Sequence, residues 1–206
     1  MTYLLSHGFG FDNSYWRNLI PLLDDEYEFF NHGFCFSTQK SYVGIGHSLG
    51  FLKLNNSGIK FHALVGLQGF LNFGGSVAEH RIMILKNLDR MVAQCKLNPS
   101  RFLSFFRNLC GYQSKITLAE LSIENLLQDL TMMKSAYNHC GAPTLILGSH
   151  QDKIVESAIL EDNFEHQNVI IKYIDGVNHT LGFTNPNQVF EQIKNFMQNN
   201  YAERTD

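Results

Sequence analysis

No stretch of this sequence reaches the roughly 18 consecutive apolar residues that a membrane-crossing helix requires, so no membrane partner is expected. An export signal is also not expected. The opening "MTYLLSHGFG" has no basic n-region, and glycine arrives before an apolar h-region can develop. The cysteines Cys35, Cys95, Cys110 and Cys140 lie too far apart for a CxxC metal or redox motif. Unpaired cysteines without an export signal indicate a reducing, cytoplasmic setting, where each reads as a small buried hydrophobe. The net charge of −3 is too small to single out nucleic acid as a partner. Internal repeats and low-complexity segments are lacking too. What the chain does have is apolar mass. Hydrophobic residues make up 44% of its 206 residues, with seventeen phenylalanines, enough for one sizeable domain with a large core.

Short apolar runs alternate with helical periodicity along most of the chain. Residues 2–6 read as a buried strand, followed by the glycine turn "HGFGFDN". Residues 13–24 have helical spacing, with Asn13 or Ser14 as caps and Pro21 placed to kink or shorten the helix. Strands are expected at 27–34, 41–47 and 61–69, with a short helix after Ser48 closed by Gly58. Residues 77–137 then carry a 3.6-residue period and almost no strand signal, predicting three helices over 77–95, 99–111 and 117–137. Strands resume at 143–149 and 168–175, separated by a helix at 156–165. A closing helix spans 186–200, with Pro186 suited to its first turn and the tail "YAERTD" frayed. Apolar strands alternating with helices predict the α/β class, with a mainly parallel sheet covered on both faces.

Four stretches carry chemistry. The first is "GIGHSLG" (44–50), in which Gly46 and Gly50 flank Ser48 at two-residue spacing between a strand and a helix. That is the pattern of a nucleophile elbow, where small neighbours avoid collision with a serine held on a strained turn. The second is His7-Gly8-Phe9-Gly10, directly after the first strand. A tetrahedral intermediate needs N–H donors for its oxyanion, and the amides of Phe9 and Leu49 are placed to supply them. The third is "LGSHQDKIV", with Asp152 just past a strand and able to orient a histidine. Asp175 is its competitor, four residues before the histidine on the same turn; His150 reads as a wall or solvent residue. The fourth is "YIDGVNHTLGFTNP", with His179 in a glycine-flanked loop after the last strand, suited to take and return the Ser48 proton. His7 and His47 read as structural, although His47, next to the serine, is also a candidate for substrate contact together with Phe9, Phe70 and Phe105.

The order Ser48, Asp152, His179, framed by "LLSHGFG", "GIGHSLG", "GSHQDKIV" and "GVNHTLGFTNP", resembles the α/β-hydrolase superfamily. The resemblance implies a hydrolase core over 1–70 and 138–206, about six strands, and a helical cap over 71–137. It also implies a serine hydrolase without metal or cofactor. Two departures follow. The usual two strands before the HGxG strand are absent, and Phe34 to Ser48 is too short for the usual helix. A trimmed sheet of this kind has an edge to cover, for which a second copy of the chain is a candidate.

The cap should set specificity, since nothing in the triad does. Met83, Leu85, Leu88, Met91, Phe102, Phe105 and Phe106 are expected to face inward as core or acyl pocket. From Val77 to Lys115, seven basic residues (Arg81, Lys86, Arg90, Lys96, Arg101, Arg107, Lys115) oppose Glu79 and Asp89, a net of +5. They read either as a solvated face or as a docking surface for an acidic acyl carrier protein. "GLQGFLNFGG" and "FLSFFRNLCG" are similar to compact esterases that cleave pimeloyl-acyl-carrier-protein methyl ester in biotin synthesis, which often carry Trp where this chain has His47. The sequence thus predicts a serine carboxylic-ester hydrolase. The alternatives are an acyl thioesterase and a non-hydrolytic ligand-binding protein of the same fold.

Overall fold

A strand that is apolar on both faces is stable only in a sheet covered on both sides. Four strands of this chain meet that description: β1 (Thr2–Ser6), β3 (Tyr42–His47), β4 (Phe61–Leu67) and β5 (Thr144–Gly148), buried along nearly all of their length. In the computed structural model, which describes residues 1–31, 33–112, 122–165 and 169–202, they form the centre of a six-stranded sheet. β2 (Glu26–Phe29) and β6 (Val169–Tyr173) are its partly exposed edges. The order is β2-β1-β3-β4-β5-β6 and every pair is parallel. Parallel strands deliver their following loops to one end of the sheet. Residues 7–12, 48, 149–155 and 174–180 therefore share a rim.

The helices follow the 3.6-residue pattern with instructive exceptions. The segment after the first glycine turn is not one helix but two short 3₁₀ turns, Asn13–Asn18 and Ile20–Leu22. Pro21 sits in the second, where it removes a backbone donor. Asp12, one residue earlier than expected, caps the first by accepting from the Ser14 amide at 2.8 Å. β2 ends at Phe29, and residues 33–41 carry no helix. Glu26 and Glu28 on this edge both pair with Lys40, and charges along an edge disfavour strand-on-strand pairing. α1 (Leu49–Asn55) follows Ser48. α5 (Ser157–Phe164), the four-residue α6 (Leu181–Thr184) and α7 (Pro186–Ala202) complete the core, α6 being an element that the sequence pattern had not marked. The tail 203–206 lies outside the described residues. No described helix is long and apolar enough to cross a membrane.

Between β4 and β5 the chain builds α2 (Ala78–Leu97), α3 (Pro99–Leu109) and α4 (Ile123–Met132). The predicted start of the last helix, 117–121, lies outside the described residues. α4 begins where Ser122 accepts from the Asn125 amide. α3 buries Phe102, Leu103, Phe106, Arg107 and Cys110, an i, i+1, i+4, i+5, i+8 arc. Phe105 falls outside that arc and is 64% exposed; Met83 on α2 is 52% exposed. The inward expectation fails for these two and holds for Leu88, Phe102 and Phe106.

The insertion is fastened at its base. Asn163 on α5 accepts from the Leu71 and Asn72 amides, both at 2.6 Å, and donates to the Asn72 carbonyl at 3.0 Å. Its neighbour Asp162 accepts from the amide and hydroxyl of Ser76. A bridge between Asn72 and Ala136 joins the outgoing and returning chains. Lys53 on α1 meets Asp129 on α4 at 2.7 Å. We expect Asn163→Ala to cost about 1–3 kcal/mol in urea unfolding, because two amides lose their acceptor. Asn163→Asp, which keeps an acceptor, should retain most of that stability.

Candidate functional site

β3 is apolar until Gly46-His47, then the chain reverses into α1 within one residue. Ser48 takes that turn with φ 53 and ψ −122, a conformation L-residues avoid and one that needs surrounding structure to hold it. The flanking glycines are dictated by contact. A Cβ at Gly46 would collide with the Phe51 backbone, and one at Gly50 with the Ser6 carbonyl. The Ser48 amide donates to the Leu67 carbonyl on β4 at 2.9 Å.

His179 and Asp152 are brought into contact. His179 Nδ1 donates to Asp152 Oδ2 at 2.7 Å, with both side chains buried. The other carboxylate oxygen, Oδ1, accepts from the amides of Ile154 and Val155 at 2.8 and 3.1 Å. Asp152 is thus fixed by its own loop and meets His179, whereas its competitor Asp175 is exposed. A proton held at Nδ1 leaves His179 Nε2 as the acceptor. Ser48 and His179 make no hydrogen bond to each other here. Contacts of this kind often tighten only around a bound substrate. His47, the residue before Ser48, has its ring centroid 4.8 Å from that of His179.

The His179 loop is clamped residue by residue from the strand ends. Ser149 Oγ donates to the Val177 carbonyl at 2.6 Å. Gln68 Nε2 donates to the Asn178 carbonyl at 2.7 Å, and Gln68 Oε1 accepts from the Leu181 amide at 3.3 Å. His47 Nε2 donates to the His179 carbonyl at 2.9 Å. Gln68 and Ser149 were not singled out from sequence. Gln68, a polar residue between glycines at the end of an apolar strand, was the available signal. It is also the second non-glycine residue at positive φ, 55°, among the described residues.

The His7–Gly10 loop runs directly against Ser48. A Cβ at Gly8 would sit 3.1 Å from Ser48 Cβ. The Phe11 amide closes a turn onto the Gly8 carbonyl at 3.2 Å, and the Phe9 amide makes no hydrogen bond among the described residues. Leu49 opens α1, where an N–H has no partner within the helix. Both amides therefore belong to segments touching Ser48 and have no hydrogen-bond partner among the described residues.

Of the residues expected to contact substrate, His47 is fully buried, stacked on Tyr15 at 4.2 Å and edge-on to Phe11. Phe105 points to solvent, and Phe70 is fully buried against Phe73. The Phe9 ring is buried between Phe102 and Phe106. His150 stacks on Tyr173, away from His179. A cavity of about 820 Å³ opens on the loop after β1, bordered by His7, Asp12, Asn31, Lys53, Ser122 and Asp129, but Ser48 does not line it. Among the described residues no group of three His, Cys, Asp or Glu is placed to hold a metal.

Burial sets the protonation of the inner histidines. It pushes His47 well below the ordinary histidine value, and the neighbouring His179 adds to the effect. Burial likewise lowers His7 to about 4, partly opposed by its hydrogen bond to the Gly8 carbonyl. An unfolded chain binds these protons near the ordinary histidine value of 6.5 while the folded one refuses them. Stability should therefore be intact above that value and be lost as pH falls toward 4. Urea midpoints at about pH 7.5 and about pH 5 check this; equal midpoints would contradict it.

No family model matches the chain, and no curated protein sequence does. Solved structures do match. An esterase from Exiguobacterium antarcticum is 12% identical, with 96% of this chain and 92% of that chain covered and a TM-score of 0.75. A lipase-esterase related protein from Clostridium acetobutylicum is 18% identical, with 95% and 93% covered and a TM-score of 0.67. MenH from S. aureus is 17% identical, with 97% and 94% covered and a TM-score of 0.65. The parallel six-stranded sheet, its flanking helices and these likenesses together establish that the chain has the α/β-hydrolase fold.

Proposed function

We propose that this chain is a serine carboxylic-ester hydrolase. The observation that carries the reading is the buried 2.7 Å contact of His179 with Asp152, in a loop bonded to His47, the residue before the serine of a strained elbow. The esterase named in one structural likeness and the lipase-esterase related protein in another support the same chemistry. Ser48 Oγ attacks the ester carbonyl carbon while its proton passes to His179 Nε2. The amides of Phe9 and Leu49 receive the resulting oxyanion. The intermediate collapses, the C–O bond to the alcohol breaks, and His179 returns the proton to the leaving oxygen. Water then repeats the sequence on the acyl-enzyme, its proton going to His179 and back to Ser48. Asp152 holds the imidazole in the right tautomer and stabilises its charged form. These steps call for no metal or cofactor.

A panel of p-nitrophenyl esters, with a fluorophosphonate probe for Ser48, tests the reading. Ser48→Ala and His179→Ala should each lower kcat by about 10⁴-fold or more with little loss of folding. Asp152→Asn should lower it by about 10⁴-fold by leaving the wrong tautomer. Wild-type protein that neither turns over esters nor takes the probe would be a ligand-binding protein instead. Faster turnover of acyl thioesters than of matched esters would make it a thioesterase.

An acidic acyl carrier protein remains the proposed bearer of the acyl group. Arg107 leaves that argument because it is buried, and Lys115 lies outside the described residues. Lys86, Arg90, Lys96 and Arg101 are exposed and carry it. Lys86→Glu with Arg90→Glu should slow hydrolysis of carrier-bound esters and leave p-nitrophenyl ester turnover unchanged. Equal rates on the carrier-bound substrate would remove the partner.

A further inference from the structure

Arg107 is a charge where a charge is costly. It sits on α3 with 2% of its side chain exposed, and a buried guanidinium is tolerated only when its donors and its charge are matched. The matching comes from one place. Arg107 Nε donates to the Gly10 carbonyl at 2.5 Å and Nη2 to Asp12 Oδ2 at 3.0 Å. The guanidinium carbon lies 5.6 Å from the Phe11 ring centre and 5.7 Å from that of Tyr112. Three of these four partners are consecutive residues of the loop that begins with His7-Gly8-Phe9.

The rest of α3 grips the same loop. Phe106 and Phe102 pack on the Phe9 ring, with centroids at 5.2 and 6.1 Å. Leu103 stands against Gly10, where a Cβ would lie 3.0 Å away. Asp12 is itself held, its Oδ1 accepting from the Ser14 amide at 2.8 Å. Lysine would not substitute well. Two acceptors on different residues suit the planar fork of arginine and not a single ammonium.

We propose that Arg107 is a positioning residue of the oxyanion hole, holding the Phe9 amide in register with the Leu49 amide through Gly10 and Asp12. The hole is then built jointly. One donor belongs to the core at the start of α1. The other belongs to a loop seated on the cap. The inference rests on the serine-esterase reading.

The test compares Arg107→Met and Arg107→Lys with wild type on a p-nitrophenyl ester, and measures inhibition by phenylboronic acid. That probe forms a tetrahedral adduct on the serine and places an oxygen where the oxyanion would be. Arg107→Met should lower kcat by about 10- to 100-fold with KM within about twofold. Phenylboronic acid should weaken by a similar factor. A purely structural role would lower the urea midpoint and leave both values intact in the folded protein, which would overturn the proposal. If Arg107→Met does not fold, Arg107→Lys decides. It keeps the charge but replaces the planar fork that reaches the Gly10 carbonyl and Asp12 together with a single tetrahedral nitrogen. A kcat loss of about tenfold at unchanged KM supports the role, and wild-type kcat overturns it. Wild-type protein without turnover or Ser48 labelling takes down the parent reading as well, whereas active wild type with unaffected Arg107 variants sinks this inference alone.

Discussion

The carbonyls of Val177, Asn178 and His179 each receive a hydrogen bond from a side chain at or just past the end of a central strand. A loop seven residues or so long would otherwise sample many conformations, since fixing each residue costs about 1–2 kcal/mol of backbone entropy. Here the side chains of His47, Gln68 and Ser149 leave it one. That constraint lets His179 meet Asp152, and it explains why a polar glutamine and a neutral histidine are buried in an apolar sheet. The backbone strain falls in the same place. Ser48 and Gln68, both at positive φ, follow adjacent strands. Each is pinned by an amide bond to the next strand over, Ser48 to Leu67 and Gln68 to Leu147.

The two halves of the site are held by different bodies. The His179 loop is anchored to side chains at the ends of β3, β4 and β5, and the Asp152 carboxylate to its own loop. The loop after β1 leans on α3 through rings and a buried guanidinium. Both anchors are polar groups placed in low dielectric, where a satisfied hydrogen bond is strong and an unsatisfied one costly. Small displacements of either body are thereby resisted.

Much of this was legible in the chain. Strands apolar on both faces could only be central and parallel, and Gly46 and Gly50 flanking Ser48 announced a contact too close for any side chain. Asp152 and His179 stood out because each follows an apolar run near glycine. Other features depend on tertiary partners and left no local trace. Arg107 reads as one more basic residue on a helix until its neighbours from ninety-odd residues away are in place. Phe105 reads as core because a helical arc is broad, and only the position of the loop beneath α3 decides which edge of the arc is buried. Residues 13–24 look helical by spacing, but Pro21 and the Asp12 cap divide them into tighter turns.

The bare crossover between β2 and β3 has a consequence of its own. With no helix between Phe34 and Tyr42, Phe30 and Phe34 pack half-covered against the core there, and Phe36 is exposed. None of the residues that position Ser48, Asp152 or His179 comes from that stretch. Chain length can therefore drift there between relatives, by whole turns of helix gained or lost, without disturbing the geometry of the rim.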